Sequence, residues 1–243
     1  MTEPFSPSTA DMCMQVAAAA YIKDVELVKA IFPSARVEFI INETSGMEVL
    51  LVEWDGVAIA AVRGTQVSKN FSMIDVIRNT RIAKRRWYFK GVRAHAGYSK
   101  GADSVMGQLT YWVDRQRAND RRVYLTGHSM GGVIASGLAA VVKFDATYTF
   151  GAPRFGNRAF AKMMKKETVY RIVHERDIAP SYPHSLLGYR HAGERWQLDR
   201  DGAYSQINGW SKDFYHYPYI QGNEDHKPAN YVLATKKGYL KNV

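Results

Sequence analysis

The chain holds a single cysteine, Cys13, among its 243 residues, which excludes a framework of intrachain disulfides. No apolar run approaches the roughly 20 residues that a helix needs to cross a bilayer. The opening stretch, Met1-Thr-Glu-Pro-Phe5, lacks basic residues, and the nearest apolar run, Val16–Ala20, comes too late and is too short for a secretory signal. These absences predict a cytoplasmic protein, with leaderless export as the alternative. Acidic residues are also outnumbered, 23 against 33 lysines and arginines, leaving a net charge of +10. Basic residues gather at 78–93, 115–122, 162–166 and Lys236-Lys237. Solvated helix faces account for such clusters, as does transient contact with an anionic lipid surface. No nucleic-acid-binding signature accompanies them, so no nucleic-acid partner is expected. No group of His, Cys, Asp and Glu has metal-ligand spacing, and neither a metal nor another cofactor is expected. Repeats, linkers and low-complexity tracts are missing too, so residues 1–243 are expected to form one domain, acting as a monomer.

What is present alternates. Residues Ser8–Phe32 carry a helical spacing of apolar side chains, with Ser8 or Thr9 as the expected cap and Pro33 after the end. Three β-like runs follow at Arg36–Asn42, Glu48–Trp54 and Val57–Arg63, the last two joined through Asp55-Gly56, a strong hairpin signal. Residues 64–94 read as irregular, and Gly97–Ala118 as a long helix. Strand patterns at Arg122–Thr126, Ala146–Phe150, Val169–His174 and Glu194–Leu198 then alternate with helical ones at Val133–Val142 and Phe155–Lys166, and a helix is expected over Glu224–Thr235 with Pro228 in its first turn. The order predicts an α/β fold: a mostly parallel central sheet with an antiparallel start and helices on both faces.

The densest signal is Gly127-His128-Ser129-Met130-Gly131, a G-x-S-x-G run between a predicted strand and a predicted helix. There a serine on a tight turn projects its hydroxyl clear of the sheet, and the following helix offers its positive end to a developing oxyanion. A serine nucleophile also needs a base, an acid that orients the base, and oxyanion donors. On such sheets the acid and then the base follow the serine along the chain. Asp177 stands just past the strand Val169–His174 and is the favoured acid, with Glu175 its nearest competitor. His226, the last histidine, is the favoured base, and His216 is second. His191 reads as a structural or rim histidine, and His128 as a neighbour packed beside the nucleophile. The N–H groups of Met130 and Thr65, the latter in the loop after the third strand, are the expected oxyanion donors.

Several further segments resemble the class 3, fungal-type lipases of the α/β-hydrolase superfamily. Val62-Arg-Gly-Thr65 resembles that family's F-R-G-S/T, and Ala94-His-Ala-Gly97-Tyr98 its V-H-x-G-F. Val123–Gly132 resembles V-x-x-T-G-H-S-L-G-G, and Thr149–Asn157 resembles T-F-G-x-P-R-V-G-N/D. Arg171–Pro180 resembles the segment that carries the family's triad acid, which would be Asp177. His191–Trp196 and Asp225-His226 with Tyr231 resemble later segments with altered spacing. The resemblance implies an α/β-hydrolase fold with a short lid, and a Ser–His–Asp hydrolase of acylglycerol or related lipid esters. Phospholipase and feruloyl or short-chain esterase are the alternatives within the class. An inactive domain binding anionic lipid or nucleic acid is the alternative outside it. It places the lid at 66–77, where Val67, Phe71, Met73, Ile74 and Ile77 offer an apolar face, and gives Asp75 a role supporting the oxyanion threonine. The basic surface and leaderless start look more like bacterial or phage-encoded members. The aromatic loop Tyr204–Tyr219 matches no family motif.

Overall fold

Eight strands make one sheet in a computed structural model that describes residues 3–64, 82–208 and 219–241, with strand order β1-β2-β3-β6-β7-β8-β9-β10. The strands are β1 Arg36–Asn42, β2 Met47–Glu53, β3 Val57–Val62, β6 Arg122–His128, β7 Ala146–Phe150, β8 Val169–His174, β9 Glu194–Leu198 and β10 Tyr204–Ile207. β1, β2 and β3 pair antiparallel, β3 through β9 pair parallel, and β10 closes the far edge antiparallel. A separate hairpin, β4 Lys84–Arg86 with β5 Arg93–His95, lies in a stretch expected to be irregular.

Side chains alternate across a strand, and here both faces are covered. Met47, Val49 and Leu51 of β2 enter one core, while Leu50 and Val52 enter the other. The helices, numbered in order among the described residues, divide accordingly. α3 Ala96–Ala118, α4 Met130–Leu138 and α5 Arg158–Met163 cover the first face, through residues such as Leu109, Ile134 and Phe160. α1 Pro7–Ala19 and α7 Pro228–Leu240 cover the second, through Met14, Val16 and Tyr231.

Several boundaries differ from expectation. The helix expected over Ser8–Phe32 is two, α1 and α2 Val25–Ile31. Ser6, not Ser8 or Thr9, caps the first, accepting from the Thr9 amide at 3.2 Å, with Pro7 in the opening turn. Asp24 starts the second by accepting from the Glu26 and Leu27 amides, so the chain breaks there despite continuing apolar spacing. Phe155–Lys166 shortens to α5 and a 3-10 turn, because Asn157 caps at Phe160. The helix expected over Glu224–Thr235 is also two, α6 Tyr219–Asp225 and α7, with Pro228 in the first turn of α7 and His226 in the break. Tyr204 at the head of the aromatic loop belongs to β10, while residues 209–218 of that loop, His216 among them, lie outside the described residues.

Candidate active site

The carboxyl ends of β6, β7 and β8 converge on one point. β6 ends at His128, and Ser129 follows with φ 56 and ψ −124, a left-handed region costly for a side chain, before α4 begins at Met130. The Ser129 amide donates to the Phe150 carbonyl at 2.9 Å, which pins the turn to β7. Gly131 explains why the residue two after the serine carries no side chain. A Cβ there would lie 2.0 Å from the Val62 carbonyl oxygen, so the first turn of α4 presses against the end of β3. That contact brings Gly64, which follows β3, beside the nucleophile turn, its amide nitrogen 2.9 Å from the same Cβ position.

Three side chains expected to act together are brought together. Ser129 Oγ lies 2.9 Å from His226 Nε2. His226 Nδ1 lies 2.9 and 2.8 Å from the two Asp177 oxygens, its proton directed at that carboxylate. All three residues are buried. The Asp177 carboxylate accepts two further hydrogen bonds, from the Ala179 amide at 2.8 Å on Oδ1 and from the Tyr231 hydroxyl at 2.7 Å on Oδ2. Tyr231 in turn accepts from the His174 amide at 3.0 Å. Burial first, then the Asp177 charge, hold the Tyr231 hydroxyl well above its usual range, so it stays a donor.

Glu175 faces elsewhere, accepting from the Arg200 amide at 2.7 Å. His191 Nε2 donates to the Pro180 carbonyl at 2.8 Å, a structural contact. His128 lies against His226, ring centroids 4.7 Å apart. Met130 opens α4, placing its amide at the positive end of that helix. Thr65, the lid expected at 66–77 and Asp75 lie outside the described residues.

Two contributors were not legible in the sequence. Tyr21, from the turn after α1, places its hydroxyl 3.0 Å from His128 Nδ1, a contact that no local pattern signals. Gly151, with φ +58, stands against the acid–base pair: a Cβ there would lie 2.4 Å from Asp177 Oδ2 and 3.0 Å from His226 Nδ1. A glycine straight after a predicted buried strand was the available signal.

Residues 59–186 match the family described as Lipase (class 3), a span covering more than half of the chain. The secreted mono- and diacylglycerol lipase 1 of Fusarium solani is 34% identical over 130 residues, 48% of this chain and 39% of that protein. The secreted mono- and diacylglycerol lipase LIP4 of Malassezia restricta is 34% identical over 158 residues, 59% of this chain and 48% of that protein. The matched stretch thus spans less than half the length of these relatives. A crystal structure described as a fungal lipase superposes with a TM-score of 0.78 at 17% identity, covering 98% of this chain and 100% of that one. This likeness shows the α/β-hydrolase fold that the motifs implied. The relatives are fungal, which lends no support to a bacterial or phage-encoded origin. They are also named as secreted, which overturns the cytoplasmic location expected from the N-terminal residues.

Proposed function

Because the chain belongs to the class 3 lipase family, we propose that it hydrolyses carboxylic esters of lipids, acylglycerols above all, through an acyl-enzyme on Ser129. The observation that carries this reading is the continuous line from Ser129 Oγ to His226 Nε2 at 2.9 Å, and from His226 Nδ1 to Asp177 at 2.8 Å. His226 takes the Ser129 proton as Oγ attacks the ester carbonyl, and the new C–O bond pushes charge onto the carbonyl oxygen. The Met130 N–H receives that oxyanion, with Thr65 as the second donor. The contact between Gly131 and Val62 supports this pairing, since it holds the end of β3 beside α4. Asp177 holds the imidazole tautomer and offsets the imidazolium charge. Protonated His226 returns its proton to the leaving alcohol, and water deacylates the enzyme through the same base.

Residues 1–243 form one hydrolase domain in this proposal, with 66–77 as its lid. The secreted relatives support action outside the cell on mono- or diacylglycerols. Contact with an anionic lipid surface is supported by Ile82, Leu186 and Leu187, apolar and exposed, where the Lys84 ammonium donates to the Leu187 carbonyl.

Initial rates on emulsified mono-, di- and triacylglycerols, a phosphatidylcholine and a feruloyl ester test the substrate class. Acylglycerols should turn over fastest, with a gain at the emulsion surface. Preference for the phospholipid or the feruloyl ester overturns the acylglycerol assignment.

A further inference from the structure

Asp177 and His226 lie 49 residues apart in the chain, and neither sits in a strand or a helix. Asp177 ends a turn after β8, which its own amide closes on the His174 carbonyl at 2.9 Å. Inside that turn Glu175 has φ 44, a left-handed conformation that a side chain disfavours. β9 holds one side of the corner. The Glu175 amide donates to the Leu198 carbonyl at 2.9 Å, and the Gln197 side chain donates to the Glu175 carbonyl at 2.7 Å.

Asp225, the last residue of α6, holds the other side. Its Oδ2 accepts from the Arg176 amide at 3.1 Å, and its carbonyl oxygen lies 3.1 Å from His174 Nδ1. A carbonyl can only accept, so the His174 ring donates from Nδ1. α6 also runs close to the same turn, since a Cβ on Gly222 would stand 3.0 Å from the Arg176 carbonyl oxygen. Arg176 immediately precedes the acid, and Asp225 immediately precedes the base. The two segments are therefore joined right beside the side chains that must meet.

The carboxylate is unfavourably placed for α6 itself. A negative charge at the last position of a helix faces the negative end of the helix dipole. The carbonyls before it close locally, Asn223 accepting from the His226 amide at 3.3 Å and Glu224 from the Lys227 amide at 3.1 Å. The Asp225 carbonyl instead takes a side chain from β8.

We infer that Asp225 is a positioning residue. With His174 it fastens the turn carrying Asp177 to the loop carrying His226, and so sets how acid and base meet. This role rests on the ester-hydrolase reading, in which that pair activates Ser129. Without the Asp225 carboxylate, β9 still holds the turn, so the pair loosens while the fold stays.

The test compares Asp225→Ala with Asp225→Asn, whose side-chain oxygen can still accept from the Arg176 amide. Asp225 is half-buried, so neither change opens the core. On a short-chain chromogenic ester, Asp225→Ala should lose about tenfold in kcat with KM little changed, and Asp225→Asn should recover most of that loss. Proton NMR reads the pair without turnover, through the downfield His226 Nδ1–H resonance that the bond to the Asp177 carboxylate produces. The resonance should shift upfield or broaden in Asp225→Ala and stay in place in Asp225→Asn. Wild-type kcat in Asp225→Ala, an unmoved resonance there, or an Asp225→Asn as impaired as Asp225→Ala overturns the role. A wild type that neither labels with a fluorophosphonate nor turns over the ester fails the hydrolase reading instead, and the NMR comparison alone then decides the role of Asp225.

Discussion

The His128 imidazole donates its Nε2–H to the carbonyl oxygen of His226, 98 residues further along the chain, at 2.8 Å. A carbonyl can only accept, so Nδ1 is left as the acceptor for the Tyr21 hydroxyl at 3.0 Å. Burial, and then the neighbouring His226, push His128 well below the usual histidine range, which keeps this neutral tautomer in place. The main chain of the proposed base is therefore tied to the residue next to the proposed nucleophile. His226 sits in a break between two helices, where its amide donates to the Asn223 carbonyl at 3.3 Å.

Replacing His128 with Phe keeps the ring and removes both contacts. The His226 carbonyl then stays buried without this donor, at a cost of about 1–3 kcal/mol. Denaturant unfolding should report that loss, and steady-state kinetics should show kcat about tenfold lower with KM little changed. Unchanged kcat would mean that this tether does not place the base.

Tyr231→Phe deletes one hydroxyl and leaves the packing of α7 intact. Asp177 loses the hydrogen bond at 2.7 Å, and the His174 amide loses its acceptor. A hydrogen bond to a charged group is worth about 1.5–3 kcal/mol, so kcat should fall roughly tenfold or more if the bond steadies the carboxylate in the transition state. The loss should appear in kcat rather than KM. A pure stability loss with normal kcat would make Tyr231 a packing residue only.

Gly151→Ala tests the crowding around the acid–base pair. The added methyl would need a left-handed backbone and would press on Asp177 Oδ2 at 2.4 Å. Stability should drop by about 1 kcal/mol or more, and turnover by roughly a hundredfold, since about 1 Å of misplacement has that effect. Circular dichroism with a turnover assay separates the two. An alanine variant at full activity would contradict the geometry described at this corner.

Acid should unfold the protein through two of its histidines. His128 and His191 both have native pKa values pushed well below the usual range, by burial first. In the unfolded chain each titrates near about 6.5. Below that pH the unfolded state binds protons that the native state refuses, so their contribution is full above it and is lost as pH falls. The slope approaches about 1.4 kcal/mol per pH unit for each histidine. Urea unfolding at neutral and mildly acidic pH should show this decline. His191→Gln, whose amide still donates to the Pro180 carbonyl, should flatten it by about one proton. An equal slope in both proteins would remove His191 from the explanation.

The centre of the fold was open to reading because local signals and long-range packing agree there. The Asp55-Gly56 turn, the parallel alternation from β6 onward and the strand–Ser129–helix junction each follow from a few adjacent residues. The order of serine, acid and histidine then singled out Asp177 and His226, which the structure places within hydrogen-bond reach of one another. Tyr21 and Gly151 escaped because their roles depend on what lies opposite in space. The β4–β5 hairpin escaped because a charged three-residue strand such as Lys84–Arg86 carries little apolar alternation. α1 and α2 were merged because the apolar spacing continues across the break, and only the Asp24 cap ends it.

The central claim, that Ser129 is the nucleophile of an ester hydrolase, is tested most directly by comparing the wild type with Ser129→Ala. A fluorophosphonate probe should label one serine in the wild type and none in the variant. Turnover of a short-chain chromogenic ester should fall by about 10⁴-fold or more while circular dichroism stays the same. A variant that still labels, or that hydrolyses the ester at the wild-type rate, contradicts the account.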